Sequence, residues 1–143
     1  MAITQAIAST FKSELLGGLQ DFTASTGNTF KIALYTSSAT LNSSTTAYTT
    51  SGECPSTGNY TAGGNTLTSQ SITLSGTTAY IDFADSTWAS STISAAGALI
   101  YNSTNSNKAV CILDFGGTFT STNGAFTVVF PAPTTTTAVL ILN

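Results

Sequence analysis

The sequence predicts a mostly β domain: an antiparallel β-sandwich or barrel-like fold with one N-terminal helix. Three observations point there. Apolar residues alternate with period two from residue 30 onward, the signature of a strand with one buried face. Many short strand-like runs follow, broken by turn residues. Threonine is also abundant: 29 Thr and 19 Ser make up 48 of the 143 residues, and a β-branched side chain suits a pleated, half-buried surface. The length fits a single domain, 1–143, with room for a real core.

The helix is expected over 3–22. Ile3, Ile7, Phe11, Leu15 and Leu19 recur every four residues, with Leu16 and Phe22 close to the same stripe. Ser9, Lys12, Ser13 and Glu14 lie opposite, and Gly17-Gly18 weakens or ends the element. The stripe either packs on the chain's own sheet or docks on a neighbouring subunit, which makes Ile3, Ile7, Phe11 and Leu15 candidate interface residues.

The β domain then occupies 29–143. Phe30, Ile32 and Leu34 face one way, with Lys31, Ala33 and Tyr35 the other. Residues 36–66 read as a long polar surface excursion with a short strand near Tyr48, and loops of this length tend to be functional or mobile. Tyr48 and Tyr60 are expected to be exposed there, because so polar a segment cannot bury both easily. They complete the candidate interface. Gly63-Gly64-Asn65 reads as a turn feeding the next strand. Strands are expected at Leu67–Leu74, Ala79–Phe83, Thr87–Ile93, Gly97–Asn102, Lys108–Phe115, Ala125–Phe130 and Ala138–Leu142. Breaks are expected at Ser75-Gly76, Asp85-Ser86, Ala95-Ala96, Gly116-Gly117 and Pro131–Pro133. A hairpin around Ser103-Thr104-Asn105 and a turn at Asn123-Gly124 give the clearest local signals. Thr134–Thr137 reads as a connector.

Charge excludes several function classes. Only 6% of residues are charged, against roughly 25% in an average domain. Three lysines, no arginine and a net charge of -3 cannot build the basic patch that nucleic-acid binding needs. With no histidine, Ser-His and Cys-His catalysis and the commonest metal ligand are absent. Gly116-Gly117 lacks the lysine of a phosphate loop. Among the carboxylates, Asp82 and Asp85 lie close in sequence, with Glu53 and Asp114 elsewhere. Asp82 is expected to face solvent or a neighbour, and Asp85 to cap its own turn. No catalytic, metal-binding or cofactor-binding residue is therefore expected, and a calcium site at Asp82 and Asp85 lacks any loop signature.

Cys111 reads as a small buried hydrophobe and Cys54 as a loop residue, with a disulfide between them left open. Trp88 reads as core or rim, or as a ring for carbohydrate stacking. The Asn-x-Ser/Thr triplets at Asn42, Asn59 and Asn102 arise readily in a chain this rich in Ser and Thr. No run reaches the roughly 20 apolar residues of a membrane span, and Met1–Gln5 lacks the charged start of a signal peptide, so release by lysis is expected. A nearly charge-free surface is cheap to desolvate, which suits a protein packed among neighbours.

Several stretches together carry a resemblance: Met1–Gln5 with Phe11-Lys12-Ser13-Glu14-Leu15-Leu16-Gly17-Gly18, Asp21-Phe22, and Phe30–Leu41. Tyr60-Thr61-Ala62-Gly63-Gly64, Asp82–Trp88 and Gly97–Asn102 extend it over most of the chain. The sequence resembles small virion structural proteins of tailed bacteriophages, of the capsid decoration (cement) or tail-associated type. The resemblance implies a non-enzymatic virion protein, made in the host cytoplasm, a homo-oligomer whose partners are the major capsid protein or other virion subunits. A tail or fibre component with a receptor- or glycan-binding role is the alternative.

Overall fold

A computed structural model describes residues 2–143. The chain runs β1 (Ala6–Ile7), α1 (Ser9–Leu16), β2 (Phe30–Tyr35), β3 (Asn65–Thr66), β4 (Ser71–Ser75), β5 (Thr78–Asp82), β6 (Ser86–Asn102), β7 (Lys108–Val128) and β8 (Leu140–Leu142). Two antiparallel sheets form a β-sandwich-like domain, as the sequence predicts. One has strand order β1-β7-β6-β2-β3 and the other β4-β5-β8.

The helix is much shorter than 3–22. Residues before Ser9 give their backbone to strand-like pairing: Ala6 and Ile7 lie against Ile112 and Cys111, and the Ala8 N–H donates to Val110 O at 3.0 Å. Ser9 N–H is taken by Ser43 O at 2.8 Å. Amides committed outside a helix cannot start it earlier. The end is where the glycines predict it. Gly18 takes φ +76°, its N–H donates to Leu15 O at 3.2 Å, and Leu19 N–H reaches back to Glu14 O at 2.9 Å. This pair of bonds is the Schellman arrangement that glycine at C′ favours. The polar face is also corrected, because Glu14 is buried and forms an ion pair with Lys108 Nζ at 3.2 Å.

β6 and β7 each fuse two expected strands. They close at the predicted hairpin, Asn102 pairing with Lys108. The expected breaks survive as irregularities within continuous pairing. Register shifts fall between Ala95 and Gly97 and between Trp88 and Ser91. Asn123 takes φ +46° beside them and Ser90 φ +49°, so Asn123-Gly124 is a bulge and not a hairpin turn. Left-handed residues serve either purpose, and here pairing resumes on both sides, Ser91 with Gly124 and Trp88 with Phe126. The predicted Ser75-Gly76 turn does close a hairpin, from Ser75 to Thr78. Thr134–Thr137 forms an exposed turn tied by its own hydroxyls, Thr134 Oγ1 lying 2.8 Å from Thr137 Oγ1.

A phenylalanine cluster joins the layers. Phe22 stacks on Phe30 with ring centroids 4.2 Å apart, and Phe83 meets both, at 6.3 and 5.9 Å. Phe11 reaches the cluster from α1 through Phe22 at 6.0 Å. Trp88 is a core residue, between Tyr60 and Phe126. No helix of the described residues is long and apolar enough to cross a membrane.

Candidate interaction surface

Residues 36–66 are anchored and not a loose excursion. Two short stretches lie beside the end of β2: Thr36 N–H donates to Gly52 O and Cys54 N–H to Leu34 O, both at 2.9 Å. This places Glu53 among tyrosines. Its Oε2 accepts from Tyr48 OH at 2.6 Å. Its Oε1 accepts from Tyr60 OH at 2.8 Å and from Gly63 N–H at 2.6 Å. Around this centre, Tyr35 OH donates to Thr49 O and Tyr101 OH to Gly63 O, each at 2.6 Å. Tyr48 and Tyr101 stack at 4.8 Å. Gly64 is obligatory here, since a Cβ would lie 1.7 Å from Ile32 O and its φ is +76°.

The expectation that Tyr48 and Tyr60 stand exposed is therefore corrected. Tyr60 is fully buried and Tyr48 half-buried. A carboxylate at the centre gives both hydroxyls a charge-assisted partner, which removes the penalty for burying them. Burial, followed by the Glu53 carboxylate, pushes Tyr101 up to about 12. Tyr35, Tyr48 and Tyr60 are also raised, burial again being the first cause. The carboxylate has its oxygens engaged by three donors, so its role is to hold the segment.

The cysteines are free and buried. Burial, then Glu53, pushes Cys54 up to about 11, and burial alone pushes Cys111 to about 12. Both stay as thiols at neutral pH, a form that is a poor nucleophile. Asp85 does not cap its own turn: its Oδ1 accepts from the distant Phe130 N–H at 2.9 Å. Asp82 is half-buried on β5, across from Ser71. Among the described residues, no group of three or more His, Cys, Asp or Glu is placed to hold a metal ion.

Three of the six candidate interface residues do come together. Ile7, Phe11 and Leu15 form one wall of an apolar cleft of about 180 Å³, facing Ile72, Ile81, Leu140 and Leu142 of the small sheet. Gln20 lines it too. Its Oε1 accepts from Asn102 Nδ2 at 3.0 Å, while its buried Nε2 meets no acceptor in the chain. Ile3 lies elsewhere, bridged to Leu41 and packed on Gly97, where a Cβ would come within 2.9 Å of its side chain.

The sequence reading missed the small sheet as a surface. Ile72, Ile81 and Leu140 form one cross-strand row, and Leu74, Ala79 and Leu142 the next. Ile81 and Leu140 are buried, yet Ile72, Leu74 and Leu142 remain 56, 73 and 54% exposed. Ile72 and Leu142 line the cleft, and Leu74 shares the cross-strand row of Leu142. The alternation Ile72-Thr73-Leu74 was the available signal, and it implied burial. No protein family, curated protein or solved structure matches the chain.

Proposed function

We propose that this chain is a non-enzymatic virion structural protein of a tailed phage, serving as a capsid decoration (cement) protein bound to the major capsid protein. The supporting observation is an apolar cleft lined by the exposed Ile72 and Leu142, with exposed Leu74 in the cross-strand row of Leu142, on a chain with 6% charged residues. Contiguous apolar surface on a folded domain marks a place where another protein sits. Weak apolar contacts repeated over many subunits add up through multivalency. The sequence resemblance supplies the setting, a particle built of many copies.

Copy number per purified particle tests this reading, measured by quantitative mass spectrometry against the major capsid protein. A ratio equal to that of the capsid protein, or a simple fraction of it, supports a shell-covering role. A handful of copies overturns it and moves the protein to the tail. With so few charges to screen, attachment should also persist as salt is raised.

A further inference from the structure

Two of the sheet edges differ in protection. Beyond β1, the outer edge of β7 is interrupted by Gly116 at φ +75° and Asn123 at φ +46°. Such bulges twist an edge away from partners, one of the devices by which proteins prevent edge-to-edge pairing. β4 has none of them. Its five residues pair with β5 in unbroken register, Ser71 with Asp82 through to Ser75 with Thr78. It carries no charge and no proline, every residue is exposed, and no strand of the described residues covers its other side.

We propose that β4 is a self-association strand that pairs antiparallel with β4 of a second copy, centred on Thr73. A row of unpaired backbone N–H and C=O groups is satisfied by another strand. The sequence is self-complementary under a two-fold axis. Thr73 then faces Thr73 of the partner copy, Ile72 faces Leu74, and Ser71 faces Ser75. Apolar meets apolar and hydroxyl meets hydroxyl, and both are favourable cross-strand pairs. An isologous contact of this kind closes on itself, so it makes a dimer and not an open fibre. The product is a six-stranded sheet in the order β8-β5-β4-β4-β5-β8, with the exposed rows of Ile72, Leu74 and Leu142 continuous across the joint.

The contact is small. Five residues span about 17 Å, and one strand edge of that length buries far less than the roughly 800 Å² per partner of a standard interface. The dimer is accordingly weak in solution and gains strength only where copies are held side by side. This inference deepens the assembly reading and takes its biological setting from it, but its test is separate. Analytical ultracentrifugation of the full chain from about 10 μM to about 1 mM should show a concentration-dependent dimer. Leu74→Lys and Ile72→Glu should each weaken it at least tenfold while leaving the circular dichroism spectrum unchanged. The double variant Ile72→Glu/Leu74→Lys should restore association, now sensitive to salt, because position 72 of one copy faces position 74 of the other. A wild-type monomer throughout this range, or dimers indifferent to both single substitutions, would overturn the proposal. A double variant that stays monomeric would overturn the pairing register on which it stands. High copy number on particles together with a monomer in solution would sink the strand pairing and leave the cement role standing.

Discussion

Residues 36–66 and the β4–β5–β8 sheet invert the usual relation between regular structure and burial. The first region has almost no secondary structure, yet it buries Ala39, Leu41, Cys54 and Tyr60 and rests on a carboxylate that binds two tyrosines. The second is regular in register and leaves half of its apolar face in water. A segment is held by whichever groups satisfy its backbone and side-chain polar atoms, whether or not they repeat. A regular strand can meanwhile leave its side chains for a partner outside the chain.

The sharpest way to break this comparison is to remove the anchor. Glu53→Ala leaves two tyrosine hydroxyls and the Gly63 amide without their acceptor. At about 1–3 kcal/mol for each unsatisfied donor, with water reaching some of them, a loss of about 4 kcal/mol is expected in urea unfolding. Glu53→Gln keeps an acceptor oxygen and should cost less than half as much. A loss below about 1 kcal/mol for the alanine variant would mean that the segment is held by something other than this centre.

Alkaline pH tests the same centre without substitution. Tyrosines ordinarily titrate near pH 10, and burial pushes Tyr101 up to about 12, with Tyr35, Tyr48 and Tyr60 also raised. Above about pH 10 the unfolded chain releases tyrosine protons that the folded chain keeps. The stabilisation is therefore complete below pH 10 and is lost as pH rises through about 12. Cys54 and Cys111, raised in the same way, add to the loss. Urea midpoints should fall steadily across that window, and tyrosinate absorbance should rise with unfolding instead of preceding it.

The fold class, the position of the β6–β7 hairpin, the Gly17-Gly18 helix end and the Ser75-Gly76 turn were legible because each rests on local chemistry. What sequence could not show was which distant group would claim a polar atom. The stripe from Ile3 to Leu19 looked helical throughout, but β7 and Ser43 take the amides ahead of Ser9. Polarity across 36–66 suggested water, because nothing local linked Tyr60 to Glu53, and Asn123-Gly124 suggested a hairpin until β6 supplied a partner on both sides. Of the candidate interface, the cleft wall of Ile7, Phe11 and Leu15 was visible as a stripe. The opposing sheet was not, since alternation in β4 signals a buried face and carries no sign of how far the core extends.

An intermediate effect is expected between the two regions, where α1 meets β7. Lys108 Nζ lies 3.2 Å from Glu14 Oε2, near enough for an ion pair though not aligned as a hydrogen bond. Removing the cation leaves a carboxylate that is 8% exposed without its charge partner. Breaking a fully buried pair costs about 3–5 kcal/mol, but Lys108 is 40% exposed and partly screened. Lys108→Met should therefore cost about 2 kcal/mol in urea unfolding at neutral pH. A loss below about 0.5 kcal/mol would mean that the pair contributes no more than an exposed surface ion pair.

The smallest effect belongs to the small sheet. Leu74 is 73% exposed, so it gives up little buried area when shortened. Leu74→Ser should change the stability of the isolated chain, measured at low concentration, by less than about 0.5 kcal/mol, the range of ordinary surface substitutions. The contrast with the anchor is then nearly tenfold in free energy, although Leu74 sits in a regular strand and Glu53 does not. A loss above about 1.5 kcal/mol would show that Leu74 already packs within its own chain, and the rows of β4, β5 and β8 would then belong to the core. A near-zero effect in dilute solution that grows with protein concentration would locate the missing contact in a second molecule, because mass action adds stability only when a partner binds the folded state.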